Sequence, residues 1–372
     1  MTDITHIGII GIGKLGLCFA LNLERSGFKV YATDIDPKYL ASLENKTFIS
    51  DEPDVNVLLD KASNFVLDAS LQTFLDNPIK DIFVMVATPT SADNGYDHSQ
   101  VNNLCDDLIA FGRQPAQRHL YIGCTTMPGY CSELAEKLEP YNWTVSYNPE
   151  FIAQGTVIYN QCYPDQVLIG EANAEVGDRL QSIYSKMVQN APTYCRMDVL
   201  SAEITKLATN SFLTTKISFA NSIGDLAKSV GADPDKILKA VGSDSRIGDK
   251  YLNYGFGFGG PCFPRDNRAL GQFAKTQGQQ LHISAATDEV NKQHLDFQIQ
   301  DILKSKEEDA PIEFQTITYK PSSVLLEESQ QLALAVALAK RGRTVVIYER
   351  PSVIKKVEQM YPGLFVFKEH NT

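Results

Sequence analysis

Ile7-Gly8-Ile9-Ile10-Gly11-Ile12-Gly13-Lys14-Leu15-Gly16 sets an apolar run in front of glycines spaced G-x-G-x-x-G. The run reads as a buried strand, and the stretch through Ala20 to Ser26 reads as the helix after it. The three glycines divide the work, since Gly11 turns the chain, Gly13 lets a pyrophosphate approach the backbone, and Gly16 lets helix and strand pack closely. The helix N-terminus offers free amides and the positive end of its dipole to the phosphates. A second strand ends in Val30-Tyr31-Ala32-Thr33-Asp34, eighteen residues after Gly16. A carboxylate there accepts from both ribose hydroxyls and repels a 2′-phosphate, which favours NAD over NADP. Asp36, two residues on, reads as an ordinary loop acid.

Further strand-like runs, Ile82 to Ala87, Leu120 to Gly123, Thr144 to Tyr147 and Val167 to Gly170, alternate with helical stretches. That alternation predicts an α/β fold: an N-terminal Rossmann-type doubly wound parallel sheet with helices on both faces. A helix-strand pair ending near Arg196 leads into an apolar-periodic segment from Val199 to about Val230, with Asp198 placed to cap its start and Gly231 its end. At 1.5 Å per residue such a helix is roughly 45 Å long and acts as a spine for a central helical domain. Two more helices are expected, Asp266 to Gln277 and Ala285 to Lys306, and Lys304 to Pro311 reads as a solvated linker. A strand (Phe314 to Tyr319), a helix (Glu327 to Arg341) and a strand (Thr344 to Tyr348) begin an abbreviated C-terminal α/β domain with room for about three strands. The expected domains are 1–197, 198–309 and 310–372.

With 372 residues, the chain is too long for a single small module. Its 34 Lys plus Arg against 45 Asp plus Glu leave a net charge of −11, which argues against nucleic acid or an anionic membrane surface as partner. Any anionic ligand needs a local site. The longest apolar run, Leu332 to Ala339, is far short of a membrane span, and the N-terminus lacks a basic segment followed by an apolar one, so the expected location is the cytoplasm. Seven cysteines are scattered without a C-x-x-C pair, so they read as free thiols with no metal site.

One thiol stands apart. Gly255-Phe256-Gly257-Phe258-Gly259-Gly260-Pro261-Cys262-Phe263-Pro264-Arg265-Asp266 closes a stretch, 242–261, too aromatic and glycine-rich for a mere connector. Its backbone is able to wrap a ligand, and Cys262 sits at the approach to a helix, where a thiolate is stabilised. Cys262 is therefore read as a nucleophile and the other six as inert.

These segments resemble the UDP-glucose/GDP-mannose dehydrogenase family of NAD-dependent sugar-nucleotide 6-dehydrogenases. The resemblance runs from Ile7 to about Tyr319 through Gly11-x-Gly13-x-x-Gly16, Thr88-Pro89-Thr90, Thr125-Thr126-Met127-Pro128-Gly129, Asn148-Pro149-Glu150-Phe151, Lys206-Leu-Ala-Thr-Asn210, Arg246-Ile-Gly, and Gly257 to Asp266. It implies oxidation of a sugar C6 alcohol to a carboxylate in two hydride transfers, with NAD as cofactor and a thioester on Cys262. The residue types suit that chemistry, because a second hydride transfer needs a tetrahedral adduct, which a thiolate forms as a thiohemiacetal. Hydrolysis then needs a base or water-orienting group and donors for the oxyanion.

Lys206 and Asn210, at i and i+4 on one helix face, are implied to stabilise charge at C6 and orient the intermediate or its water. By the same resemblance Asp266 assists proton movement and keeps Lys206 in place, Glu150 positions the hydrolytic water, and Thr126 lies near the nicotinamide. Cofactor contacts are expected at Gly11, Ile12, Gly13, Lys14, Leu15, Gly16, Asp34, Thr88, Pro89, Thr126 and Gln154. Substrate contacts are expected at Phe151, Ile152, Lys206, Asn210, Tyr251, Phe258 and Gly259, with Arg246 reaching the sugar nucleotide from a neighbouring subunit. The long helix resembles the family's dimer spine, so a homodimer is the expectation.

Three residues depart from the family pattern: Gln154 replaces a glutamate near the cofactor, Arg265 a lysine, and Glu327 an arginine near the cofactor. UDP-glucose is the simplest substrate; Gln154 and Glu327 leave a UDP-N-acetylhexosamine or GDP-mannose open. A non-catalytic NAD-binding relative would have no use for Cys262.

Overall fold

The computed structural model describes residues 4–68, 70–152, 155–321 and 323–369. In chain order the elements begin β1 (His6–Ile10), α1 (Lys14–Arg25), β2 (Lys29–Thr33), α2 (Pro37–Glu44), α3 (Val55–Lys61), β3 (Phe65–Leu67), α4 (Gln72–Asp76), β4 (Asp81–Val84), α5 (Ser99–Ala110) and β5 (Arg118–Ile122). They continue with α6 (Tyr130–Leu138), β6 (Trp143–Tyr147), α7 (Val157–Cys162), β7 (Gln166–Gly170), α8 (Ala174–Met187), β8 (Thr193–Met197) and α9 (Val199–Ser229). The last are α10 (Pro234–Gly242), α11 (Phe263–Thr276), α12 (His282–Ser305), β9 (Ile312–Phe314), α13 (Gln330–Ala339), β10 (Val345–Glu349), α14 (Pro351–Met360) and β11 (Val366–Glu369). The chain forms two compact units, Met1–Lys206 and Leu207–Thr372, with the division falling inside α9.

The first unit is an eight-stranded sheet in the order β3-β2-β1-β4-β5-β6-β7-β8. Strand order reverses at β1, whose neighbours are β2 and β4, so the crevice for a dinucleotide opens at the carboxyl ends of β1 and β4. Alternation along each strand sends side chains to two cores. Ile7, Ile9 and Phe83 join α1 and α8 on one face, while Ile10, Ile82 and Val84 join α5 and α6 on the other.

Most strands expected in this sheet form, with two corrections. The sheet is mixed rather than parallel, because β7 runs antiparallel to β6 through Tyr147 and Gly170. The connection holds only the six-residue α7, too short to carry the chain back to the start of β6. β4 also ends at Val84 rather than Ala87, as the following residues leave the sheet to border the crevice. The three-residue β3 has too little pattern to be seen in the sequence.

α9 spans 31 residues, with Asp198 accepting from Ser201 N at 2.9 Å and Gly231 at φ +76° just beyond its end. In the second unit a three-stranded parallel sheet, β11-β10-β9, packs α13 and α14 around Ile312, Phe314, Leu338 and Ile347. The strand expected over Phe314 to Tyr319 stops at Phe314. Glu349 takes Thr316 Oγ1 at 2.7 Å and Ile317 N at 3.3 Å, so a side chain replaces the ladder there. α13 starts at Gln330, not Glu327, because Ser329 caps it by accepting from Leu332 N. Among the described residues no helix is long and apolar enough to cross a membrane.

Candidate active site

Gly11, at φ +86°, donates to Thr33 O at 2.9 Å, and a Cβ on it would lie 2.9 Å from the Met85 backbone. A Cβ on Gly16 would lie 2.1 Å from Gly11 O, whereas one on Gly13 meets nothing within 4 Å. The turn is thus closed where strand and helix pack and open at the N-terminus of α1. No acid occupies the first turn of α1, so nothing there opposes a pyrophosphate. Asp34 directly follows β2 and accepts from Ile12 N at 3.1 Å, and Tyr39 OH donates to Ile12 O at 2.9 Å. Lys14 pairs at 3.2 Å with Glu52, a buried acid that the sequence did not single out and that also accepts from Gly155 N at 2.7 Å. A cavity of about 350 Å³ lies beside the turn, lined by Gly13, Lys14, Tyr39, Phe48 and Asp51. Leu15 is exposed on the first turn of α1, and Pro89 is exposed beyond β4. Gln154 lies outside the described residues. Asp36, read as a plain loop acid, caps α2 by accepting from Lys38 N and Tyr39 N.

The segment Thr125 to Gly129 is tied down from three directions. Thr88 Oγ1 donates to Thr125 O at 2.8 Å, and Met127 N donates to His98 Nε2 at 3.2 Å. Burial pushes His98 down to about 4, so its ring is neutral and able to accept. The third tie is Glu203 on α9, fully buried, which takes Thr126 Oγ1 at 2.9 Å, Gly129 N at 2.7 Å and Cys131 N at 3.0 Å. It caps α6 from a distant helix. An acid in the first turns of an apolar-periodic helix was the signal that could have found it.

Glu150 follows β6, with Tyr184 OH 3.4 Å from its Oε1. Burial pushes its carboxyl up to about 7, against the opposing pull of the Tyr184 hydrogen bond and the Lys206 charge. Lys206, buried, donates from Nζ to Glu150 O at 2.8 Å and lies 4.4 Å from the centre of the Phe151 ring. Ile152 packs against the core that contains α1.

In the second unit Asn210 Nδ2 donates to Asp266 Oδ2 at 2.7 Å, and both residues are buried. Asp266 stands in the first turn of α11, and Cys262 is that helix's N-cap. Cys262 is exposed, whereas Cys18, Cys105, Cys124, Cys131 and Cys162 are buried and Cys195 is half-buried. Burial pushes the Cys18 and Cys124 thiols up to about 12, which keeps them protonated and inert. Phe258 is buried, with its N donating to Asn291 Oδ1 at 2.9 Å. A Cβ on Gly259 would lie 2.3 Å from Glu328 O, and one on Gly260 2.5 Å from the Tyr319 ring, so the loop fits only as glycine. Tyr251, at φ +63°, sets its ring edge to face with Phe263 at 6.0 Å. Arg246 is exposed and paired with Asp244 at 2.6 Å. Glu327 is also exposed, its carbonyl accepting from Gly260 N at 3.0 Å.

The sheet, the open glycine turn and the acid at the end of β2 define an NAD-binding oxidoreductase of the Rossmann type. Residues 5–188 match the NAD binding domain of the UDP-glucose/GDP-mannose dehydrogenase family and residues 200–293 its central domain. A UDP-glucose 6-dehydrogenase of Pseudomonas aeruginosa is 30% identical over 369 residues, covering 95% of this chain and 80% of that protein. The solved structure of a UDP-glucose dehydrogenase from Pyrobaculum islandicum has a TM-score of 0.87 at 26% identity, over 99% of this chain and 87% of that one. A UDP-D-ManNAc dehydrogenase from Pyrococcus horikoshii shares the fold, with a TM-score of 0.78 at 18% identity over 92% and 83% of the two chains. The chain belongs to the UDP-glucose/GDP-mannose dehydrogenase family, and NAD is its cofactor.

Proposed function

We propose that the protein oxidises the C6 alcohol of a nucleotide sugar to the carboxylate in two steps, with UDP-glucose giving UDP-glucuronate as the reaction. The observation that carries this reading is the exposed Cys262 at the head of α11, in a glycine loop, among thiols otherwise buried or half-buried. NAD supplies the chemistry of hydride acceptance, once for each of two molecules. The first oxidation removes a hydride and a proton from the alcohol, leaving an aldehyde. The Cys262 thiolate adds to the aldehyde carbon, and the resulting oxyanion takes a proton to become a thiohemiacetal. Loss of a second hydride and that proton leaves a thioester on Cys262. Water attacks the thioester, releasing the carboxylate and returning the thiol. In sum, one alcohol, two NAD and one water give a carboxylate, two NADH and three protons.

Asn210, fixed by Asp266, donates to the oxyanion, and the Lys206 ammonium stabilises the same charge. Glu150, with a carboxyl that titrates at about 7, takes a proton from the hydrolytic water, and Thr126 helps to orient it. Sugar-nucleotide contacts are assigned to Phe151, Ile152, Tyr251, Phe258 and Gly259. The active species is a cytoplasmic homodimer formed along α9, where Phe212, Phe219 and Leu226 are 66%, 50% and 61% exposed at seven-residue intervals. Arg246 of one protomer reaches the diphosphate bound to the other. In this reading 1–197 bind NAD, 198–309 form the dimer and carry the nucleophile, and 310–372 face the nucleotide.

The test is stoichiometry. Wild-type protein with UDP-glucose and excess NAD yields two NADH and one carboxylate per sugar, and Cys262→Ala forms no acid. Two NADH per sugar from Cys262→Ala overturns the assignment. A panel of UDP-glucose, UDP-N-acetylhexosamines and GDP-mannose, read at the NADH band, fixes the sugar and base.

A further inference from the structure

The backbone of Gly255 to Phe258, from which the Cys262 segment departs, is gripped by side chains of α9 and α12. Asn221 accepts from Gly255 N at 3.1 Å and donates to Phe256 O at 3.3 Å. Asn291 accepts from Phe258 N at 2.9 Å and donates to Phe258 O at 3.0 Å. A Cβ on Gly257 would lie 2.2 Å from Asn291 Oδ1, so this grip requires glycine. The Gly255 carbonyl receives Gln298 Nε2 at 3.1 Å and faces His294 Nε2 at 2.7 Å.

His294 is the unusual member. Its side chain is 1% exposed, and its Nδ1 lies 2.9 and 3.0 Å from the two carboxylate oxygens of Asp225 on α9. Carbonyl and carboxylate oxygens only accept, so both contacts of the ring exist together only when both nitrogens carry a proton. A neutral ring keeps one bond and turns a lone pair toward an oxygen at the other, in a buried place where an unmade bond is costly. The remaining groups fit a cation held there. Tyr254 OH donates to Asp225 Oδ1 at 2.9 Å, and a Cβ on Gly224 would lie 1.8 Å from the Tyr254 ring, which α9 seats by having none. Lys228 lies 5.6 Å from the Tyr254 ring centre and pairs with Asp301 of α12 at 2.7 Å, which offsets its charge.

We propose that the Asp225–His294 pair is a positioning device for the Cys262 loop, in which the imidazolium clamps the Gly255 carbonyl and loses that clamp on deprotonation. The proposal rests on Cys262 as the nucleophile for its relevance to turnover, so its test reads the loop directly. Hydrogen exchange is followed by mass spectrometry on peptides spanning 254–260, corrected for the intrinsic pH dependence of exchange. In the wild type, protection of this segment falls about tenfold as the ring loses its second proton, the loss of one buried hydrogen bond, while amides within α9 keep theirs. His294→Gln, which offers a single donor group, abolishes the pH step and holds protection at the lower level. Asp225→Asn keeps the shape, removes the partner charge and moves the step to lower pH, so it serves if His294→Gln fails to fold. A wild-type profile with no pH step, or a step that Asp225→Asn leaves at the same pH, overturns the proposal. A pH step in the wild type without oxidation of any sugar nucleotide leaves this device standing and refutes only the proposed reaction.

Discussion

The turn Gly11 to Gly16 and the loop Gly255 to Gly260 are both built from glycine, yet they are held in opposite ways. At the first, backbone meets backbone: Gly11 N donates to Thr33 O, Met85 N to Ile10 O, and Leu17 N to Gly13 O. The sheet and α1 fix the turn, and the free amides left over are the binding surface. At the second, side chains of Asn221, Asn291, His294 and Gln298 hold Gly255 N and O, Phe256 O, and Phe258 N and O, with Gly260 N bonded to Glu327 O. A site made of backbone is written in one contiguous motif. A site held by side chains depends on residues more than thirty positions away, and is correspondingly open to adjustment by charge and pH.

Substitution of glycine separates the two modes. Gly16→Ala drives a methyl into Gly11 O, 2.1 Å from the ideal Cβ, and is expected to lower the thermal midpoint by several degrees and to reduce NAD affinity more than a hundredfold. Gly13→Ala points its methyl into open space, so the midpoint stays within about a degree while NAD binding weakens on the order of tenfold, read by titration calorimetry. Equal losses of stability in the two variants would break the account of the turn. The Cys262 loop gives a smaller, pH-dependent response through His294.

Charge gives the finest contrast. Glu150 is held with its carboxyl at about 7 by burial, so between its usual value and 7 unfolding releases a proton and stability falls as pH rises. Glu150→Gln mimics the protonated form. It is expected to raise the thermal midpoint by a few degrees at about pH 8 relative to wild type and to change it less at about pH 5. If Glu150 is the base of the proposed mechanism, the same ionisation sets the hydrolysis rate, which is expected to rise through about pH 7 in wild type and to lose that limb in Glu150→Gln. A midpoint that gains nothing at the higher pH contradicts the raised carboxyl.

The first turn and the spine helix were legible because their information is local: G-x-G-x-x-G with Asp34, and a long apolar period with Asp198 and Gly231 at its ends. Cys262 stood out by its loop, and the structure finds it exposed while five of the other thiols are buried. The antiparallel β7 was hidden because strand direction depends on how far α7 can carry the chain, which periodicity does not encode. Glu203 and His294 were hidden for another reason: each lies on a long helix and acts on a backbone segment distant in sequence. Glu203 serves Thr126 to Cys131 from more than seventy positions away. Polar residues at buried helix positions are the common signal, and only the fold says what they hold. Glu327, expected near the cofactor in place of an arginine, is exposed beside Glu328, which instead pairs with both terminal nitrogens of Arg268 at 2.7 and 2.9 Å.

Slowing hydrolysis exposes the covalent step. Glu150→Gln is mixed with UDP-glucose and NAD, quenched in acid, digested and read by mass spectrometry. The account predicts that the peptide carrying Cys262 gains the mass of the acyl nucleotide sugar, removable by hydroxylamine, while the other six cysteine peptides remain unmodified. An unmodified Cys262 peptide in a reaction that has released two NADH per sugar would contradict it.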